Sequence, residues 1–223
     1  MGTFLYSSFA TFIFLLIAMT GCQNDSPPIK EQFEENEEVE IIFDNEIEDL
    51  NFEDYRNITE EANEYLNDEN IDDPDIRRWF IREKISHLQN RIQKTNENIL
   101  EDAKERFKYE IAWRELAEKR YHIHASETSI KEQIEYNLAL FGDEMPETII
   151  GMAEGLDMTV EEFMSEFDRD HAERSVIWQK LMPLLMEKYQ QTTDEVVESF
   201  QLGQLYEQEV YDYLEEEEEE AEE

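Results

Sequence analysis

Few side chains in this chain are of a type and spacing to do chemistry, and the first is Cys22, the single cysteine among 223 residues. With no second cysteine it cannot form a disulfide within the chain, so an exported domain must hold by packing alone. His122 and His124 are the nearest approach to a metal pair, but two histidines at i and i+2 with no further cluster nearby rarely share a metal. Their expected role is at the end of the preceding helix, closing its carbonyls. His171 stands among Asp168, Asp170 and Glu173, an ordinary setting on a charged helix. There is no glycine-rich phosphate loop, no H-E-x-x-H motif and no Ser-His-Asp order, and the acidic runs lack the central glycine of an EF-hand loop. No catalytic residue, metal or cofactor is therefore assigned, beyond weak, unspecific calcium binding by Glu215 to Glu220.

Cys22 is placed for a different chemistry. Residues 4–19 carry no charge and are mostly Phe, Leu, Ile, Ala and Met, followed by Thr20 and Gly21. Such a stretch ending in small residues reads as a secretory signal peptide. Met19-Thr20-Gly21-Cys22 resembles the lipobox of bacterial lipoproteins, in which the cysteine receives a diacylglycerol. The family usually has Leu where Met19 stands and a basic residue before the apolar stretch, whereas Lys30 is the first basic residue here. The resemblance implies removal of residues 1–21 and a lipid, palmitate included, on Cys22 at the extracytoplasmic face of the cell membrane. The alternative is an uncleaved signal anchor with an incidental cysteine. N-myristoylation at Gly2 fits poorly, because Tyr6 stands where Ser or Thr is needed.

The net charge is −39, and it is unevenly spread. Glu31 to Asp75 holds twenty acidic residues against Arg56 alone. Ile76 to Lys188 holds 23 acidic and 17 basic, and Tyr189 to the end holds fourteen acidic and none basic. The middle is the expected folded domain. The flanks, a tether over 22–73 and a tail over 215–223, are expected to be acidic extensions, the tether largely disordered. Phosphates would be repelled, which argues against nucleic acid and anionic lipid as partners and suits a cationic partner or simple solubility.

Six Gly and five Pro are too few for a turn-rich β architecture, and the apolar residues recur at helical spacing, so the class is all-α. Within the tether some helix is expected from Thr59 to Leu66, with Thr59 as the cap. Asp73-Pro74 begins the domain, a capping residue followed by proline at the first helical position. An apolar stripe through Trp79, Phe80, Ile85, Leu88 and Ile92 continues through Leu100, Phe107, Ile111 and Leu116 to about Tyr121. This is one very long helix, or two with a break near Thr95 to Asn98.

Ser126 caps the next helix, with Ile130, Ile134, Leu138 and Leu140 as its buried face. Glu147 to Glu154 is a short helix closed by Gly155. Thr159 and Glu162 form a capping box for a helix through Phe163, Phe167, Ala172, Val176, Trp178 and Leu181, which Pro183 interrupts or ends. A last helix carries Val197, Phe200, Leu205, Tyr206, Val210, Tyr211 and Leu214, and the glutamates beyond it are expected to fray.

Two steps in this pattern resemble the SurA-like and PrsA-like N-terminal chaperone domains. Ile123-His124-Ala125-Ser126-Glu127-Thr128-Ser129-Ile130 is similar to the family's step between a long helix and the next. Gly155-Leu156-Asp157-Met158-Thr159-Val160-Glu161-Glu162-Phe163 is similar to its second step, and Phe163 to Leu181 continues in the style of Gram-positive members. The resemblance covers about half the chain and rests on caps and apolar positions. It implies a helical domain over 74–214 that offers a groove to unfolded or extended polypeptide. The family often adds a parvulin prolyl isomerase domain, for which the residues after Lys188 leave no room, so isomerase activity is not implied.

Trp79, Phe80, Phe163, Phe167, Trp178, Met182 and Met186 are the candidates to line such a groove, since Met and aromatics suit adaptable contacts. The leading expectation is a non-catalytic, chaperone-like holder of polypeptide clients near the membrane. A structural or assembly lipoprotein with one fixed partner, and a divergent prolyl isomerase, are the other two.

Overall fold

Side-chain caps set where most of the helices begin. The computed structural model describes residues 50–142, 144–190 and 199–222, and these form helices without a strand among them. The Asn51 carboxamide oxygen accepts the Glu53 and Asp54 N–H groups and Asp54 reaches back to the Asn51 N–H, so α1 runs Phe52–Asp68. Asp73 caps α2, Pro74–Gln89, and Thr95 caps α3, Asn96–Tyr121. The stretch from 74 to 121 is thus two helices, and the second starts at a side chain able to satisfy its first N–H groups. Ser126 caps α4, Glu127–Phe141, and Pro146 precedes α5, Glu147–Gly155.

The Thr159–Glu162 capping box is present and opens α6, Val160–Glu162. The chain then widens into a π turn, Phe163–Phe167, in which the Asp168 N–H donates to the Phe163 carbonyl five residues back at 2.8 Å. A separate helix, α7, follows over Arg169–Gln190, and α8 covers Ser199–Glu222. Pro183 neither interrupts nor ends α7. Leu181 and Leu185 on either side of it are fully buried, and that burial offsets the one hydrogen bond the proline cannot make.

The helical domain begins before residue 74, because α1 is part of it. Tyr55, Thr59, Ala62 and Leu66 of α1 are buried, and Thr59, expected as a cap, lies inside the helix with no exposed surface. α1 packs against α5 across two glycines one turn apart. A Cβ on Gly151 would lie 2.6 Å from Tyr55 Cβ, and one on Gly155 would lie 2.7 Å from the Arg56 carbonyl oxygen. Only glycine lets the two backbones come this close. Residues 50–73 of the expected tether thus fall in described structure, most of them in α1; the rest of that expected segment and the expected signal peptide with Cys22 lie outside the described residues.

Two apolar cores follow. The first joins Leu66, Phe80, Ile81, Ile99, Ala103, Ile130, Met152 and Phe163, among others. The second joins Trp113, Leu116, Leu181, Leu185, Leu202, Tyr206 and Val210. α3 gives Ile99 and Ala103 to the first core, and Trp113 and Leu116 to the second. α7 likewise gives Ala172 to one and Leu181 to the other.

The buried faces differ from expectation by a step or so. In α2 the buried residues are Phe80, Ile81 and Ile85, while Leu88, and Ile92 beyond the end of the helix, are exposed. Leu140 of α4 is also exposed. In α8 Tyr213 is buried and Tyr211 faces out at 49 % exposure. The glutamate run is helical to Glu222: Lys108, Lys119 and Arg120 of α3 pair with Glu218, Glu217 and Glu216, relieving repulsion that would otherwise unwind it.

Candidate functional site

Charged groups and aromatic rings alternate where the two cores meet. Arg82 of α2 lies over the Phe167 ring at 5.5 Å and the Trp79 ring at 4.9 Å. Trp79 is faced from its other neighbour by Arg106 of α3 at 5.2 Å, and Arg106 also lies over Tyr109 at 5.1 Å. The series ends at Tyr109 and Tyr211, whose ring centroids are 5.3 Å apart. Guanidinium planes stack on ring faces because the ring quadrupole is negative there, each contact contributing about 0.5–2 kcal/mol.

Carboxylates hold these cations in place. Arg82 donates to Asp168 and Asp170, both at 2.7 Å, and to the Phe167 carbonyl at the junction of the π turn with α7. Burial works against the charge on Asp170, but the hydrogen bonds and charge of Arg82 more than offset it, and its pKa lies below the ordinary range. Glu110, nearly buried, takes Arg106 at 3.0 Å and Arg174 at 2.5 Å, and Arg174 lies 4.3 Å over Trp113. π turns concentrate at functional sites. Here the turn lets the stacked Phe163 and Phe167 rings, 5.0 Å apart, both turn inward.

The tyrosine end of the series opens into a cleft of about 440 Å³ between α2, α3 and α8. Tyr109, Tyr211 and Leu214 supply aromatic and apolar surface, and Glu83, Asp102, Glu105 and Glu218 supply carboxylates. Arg106 and Lys108 complete the lining. Both cations are already engaged, Arg106 with Glu110 and Lys108 with Glu218. Asp102 is engaged as well, by Lys94 at 2.6 Å and by the His87 ring at 2.9 Å. Glu105 has no ion-pair partner among the described residues, and Glu83 has only His87 at 3.9 Å. The cleft therefore carries unmatched negative charge beside an exposed ring. Burial, with Glu207 adding to it, pushes the Tyr109 hydroxyl up to about 12, so it is a neutral phenol at physiological pH.

A second depression of about 260 Å³ lies between α3, α7 and the turn at 122–126. Its floor is Ile123 and Ile177, and Glu115, Glu118 and Glu173 are on its rim. His124 borders it, and His122 takes the left-handed conformation that closes α3, its backbone N–H donating to the Glu118 carbonyl. His171 is exposed at the start of α7.

The seven candidate groove residues do not gather at one surface. Phe80 and Phe163 have no exposed area and Phe167 has 8 %, so all three belong to the first core. Trp178 and Met182 are half-buried against the second core, and Met186 is exposed near the end of α7. Trp79 is half-buried between Arg82 and Arg106. At helical spacing, aromatics are selected for packing before anything else, which is what most of these do.

The cleft residues escape a reading along the chain because three distant segments supply them. The nearest signal in the sequence is Tyr211, which along the chain is one more apolar position of the last helix.

No protein-family model, no curated protein and no solved structure matches this chain.

Proposed function

We propose that this protein is a lipoprotein, acylated on Cys22 and facing the extracytoplasmic side of the membrane, whose helical domain holds polypeptide without catalysing a reaction on it. The observation that carries this reading is the cleft between α2, α3 and α8, where half-exposed Tyr211 and partly buried Leu214 offer contact area beside buried Tyr109, within an acidic rim. Aromatic surface in a concave, open site is what extended polypeptide needs from a holder, and tyrosine supplies it at small entropic cost. On this reading the domain is kin to the SurA-like chaperone domains, and the residues before Leu50 connect it to its anchor.

The reading is tested with the full mature chain against several unrelated unfolded proteins. Suppressed aggregation at near-stoichiometric ratio, reduced in Tyr211→Ala, supports it; no suppression with any of them overturns it. Proline-limited refolding should proceed no faster in its presence. Incorporation of radioactive palmitate into the wild type and not into Cys22→Ala tests the anchor separately.

A second reading, an assembly lipoprotein with one fixed partner, is favoured by Tyr136 and Leu140. These lie one helical turn apart on α4 and are 55 % and 47 % exposed. It predicts one dominant crosslinked species from membranes, lost when both are changed to Ser.

A further inference from the structure

We infer that the cleft between α2, α3 and α8 takes a basic segment of polypeptide, one lysine or arginine side chain lying against Tyr211 between Glu83 and Glu105. This rests on the polypeptide-holding function proposed above and adds the chemistry of what is held. Charge bookkeeping in the cleft singles out this ligand. Its two cations and two of its four carboxylates are engaged within the protein, which leaves Glu105 with no ion-pair partner among the described residues and Glu83 with only the His87 ring at 3.9 Å. Glu207 adds to the negative field at Tyr109.

The ring beside those carboxylates is suited to a cation. Within the protein the neighbouring rings Trp79 and Tyr109 already accept Arg106, so a cation stacked on a ring face is an arrangement this side of the cleft already uses. Beyond Tyr109 comes Tyr211, half-exposed, and among the described residues no cation lies over its ring. An incoming lysine or arginine would occupy the next position, with the ring face on one side and a carboxylate on the other. An acidic segment would meet the surplus of carboxylates, and a neutral apolar one would leave them desolvated and unpaired. The long-range charge of −39 adds steering toward the same class of ligand.

The test uses the mature chain and three short fluorescent peptides with one apolar pattern, carrying Lys and Arg, Gln, or Glu at the variable positions. Anisotropy should show binding of the basic peptide alone, weakening as salt rises. Tyr211→Ala should weaken it about tenfold. Glu83→Gln with Glu105→Gln should weaken it several-fold and flatten its salt dependence. Tyr211→Phe, which keeps the ring face, should bind as the wild type does, and circular dichroism of each variant shows whether the fold is kept.

Equal binding of the Gln peptide, or basic-peptide binding indifferent to Tyr211→Ala, would overturn the proposal while aggregation suppression left the polypeptide-holding reading standing. Failure of all peptides together with failure to suppress aggregation would remove both.

Discussion

The hydroxyl of Tyr121, at the end of α3, donates to the carboxylate of Glu209 on α8 at 2.7 Å, and Glu209 is 7 % exposed. Tyr189 and Lys188 of α7 reach the same carboxylate at 2.5 and 2.9 Å, and Arg120 reaches it at 3.3 Å. One buried acid thus joins the three helices of the second core.

Replacing Glu209 by Leu removes the acceptor that Tyr121, Tyr189, Lys188 and Arg120 share. The expected cost is about 3 kcal/mol, against about 1 kcal/mol for Glu209→Gln, which keeps an acceptor oxygen. Urea unfolding of the two variants checks this, and equal midpoints for Leu and wild type would contradict it.

Acid should weaken the same junction. Burial opposes the Glu209 charge, but its hydrogen bonds from Tyr189, Tyr121 and Lys188 prevail and its pKa is lowered. Asp102 is lowered too, chiefly by the Lys94 hydrogen bond. A carboxylate whose folded pKa is depressed contributes stability that is present above its unfolded value and lost as pH falls through the folded one. Thermal midpoints should therefore drop below the ordinary carboxylate range, and less steeply in Glu209→Gln.

The opposite limb belongs to the tyrosines. Burial raises Tyr121, Tyr189 and Tyr206, with Glu209 adding to each, and Tyr109 is raised to about 12. Their contribution is full below the free phenol value of about 10 and is lost as pH rises through the folded values. Ultraviolet titration should show a class of tyrosines ionising late, and stability should decline across that window.

Gly151→Ala and Gly155→Ala should each destabilise by about 1–3 kcal/mol, because the added methyl meets α1 backbone or Cβ atoms at 2.6 and 2.7 Å. At Gly203, inside α8, a Cβ has nothing within 4 Å, and Ala should stabilise by about 0.5–1 kcal/mol. Opposite signs for the same substitution at the two places are the outcome to look for in denaturant midpoints.

A chain beginning at Glu46 should fold as the full one does, whereas a chain beginning at Pro74 should not. Without α1, buried Met152, Ala153 and Phe80 lose much of their cover. Near-ultraviolet circular dichroism of the two fragments decides it, and native spectra from the shorter one would refute the role assigned to α1.

Helix starts were legible because capping is local chemistry: Asp73-Pro74, Ser126 and the Thr159–Glu162 pair each announce themselves within four residues. The side a helix turns inward was less so, since adjacent apolar residues compete. Phe80 and Ile81 win over Trp79 and Leu88 through partners on other helices, and Tyr213 wins over Tyr211. Acid surrounds the four buried side chains of α1 and gives it the composition of a tether, yet Tyr55 and Thr59, one turn apart, meet the glycine face of α5, while Ala62 and Leu66 join the first core. The cleft depends wholly on which helices meet, and no local pattern encodes that.

α3 enters one core with Ala103 and the other with Trp113, and α7 does the same with Ala172 and Leu181. A protease or a pulling force that frees α8 would strip cover from Trp113 and Leu181, and loosening there travels along the same two rods into the other half. Melting should consequently register as a single cooperative event by every probe, with no half-folded species to accumulate.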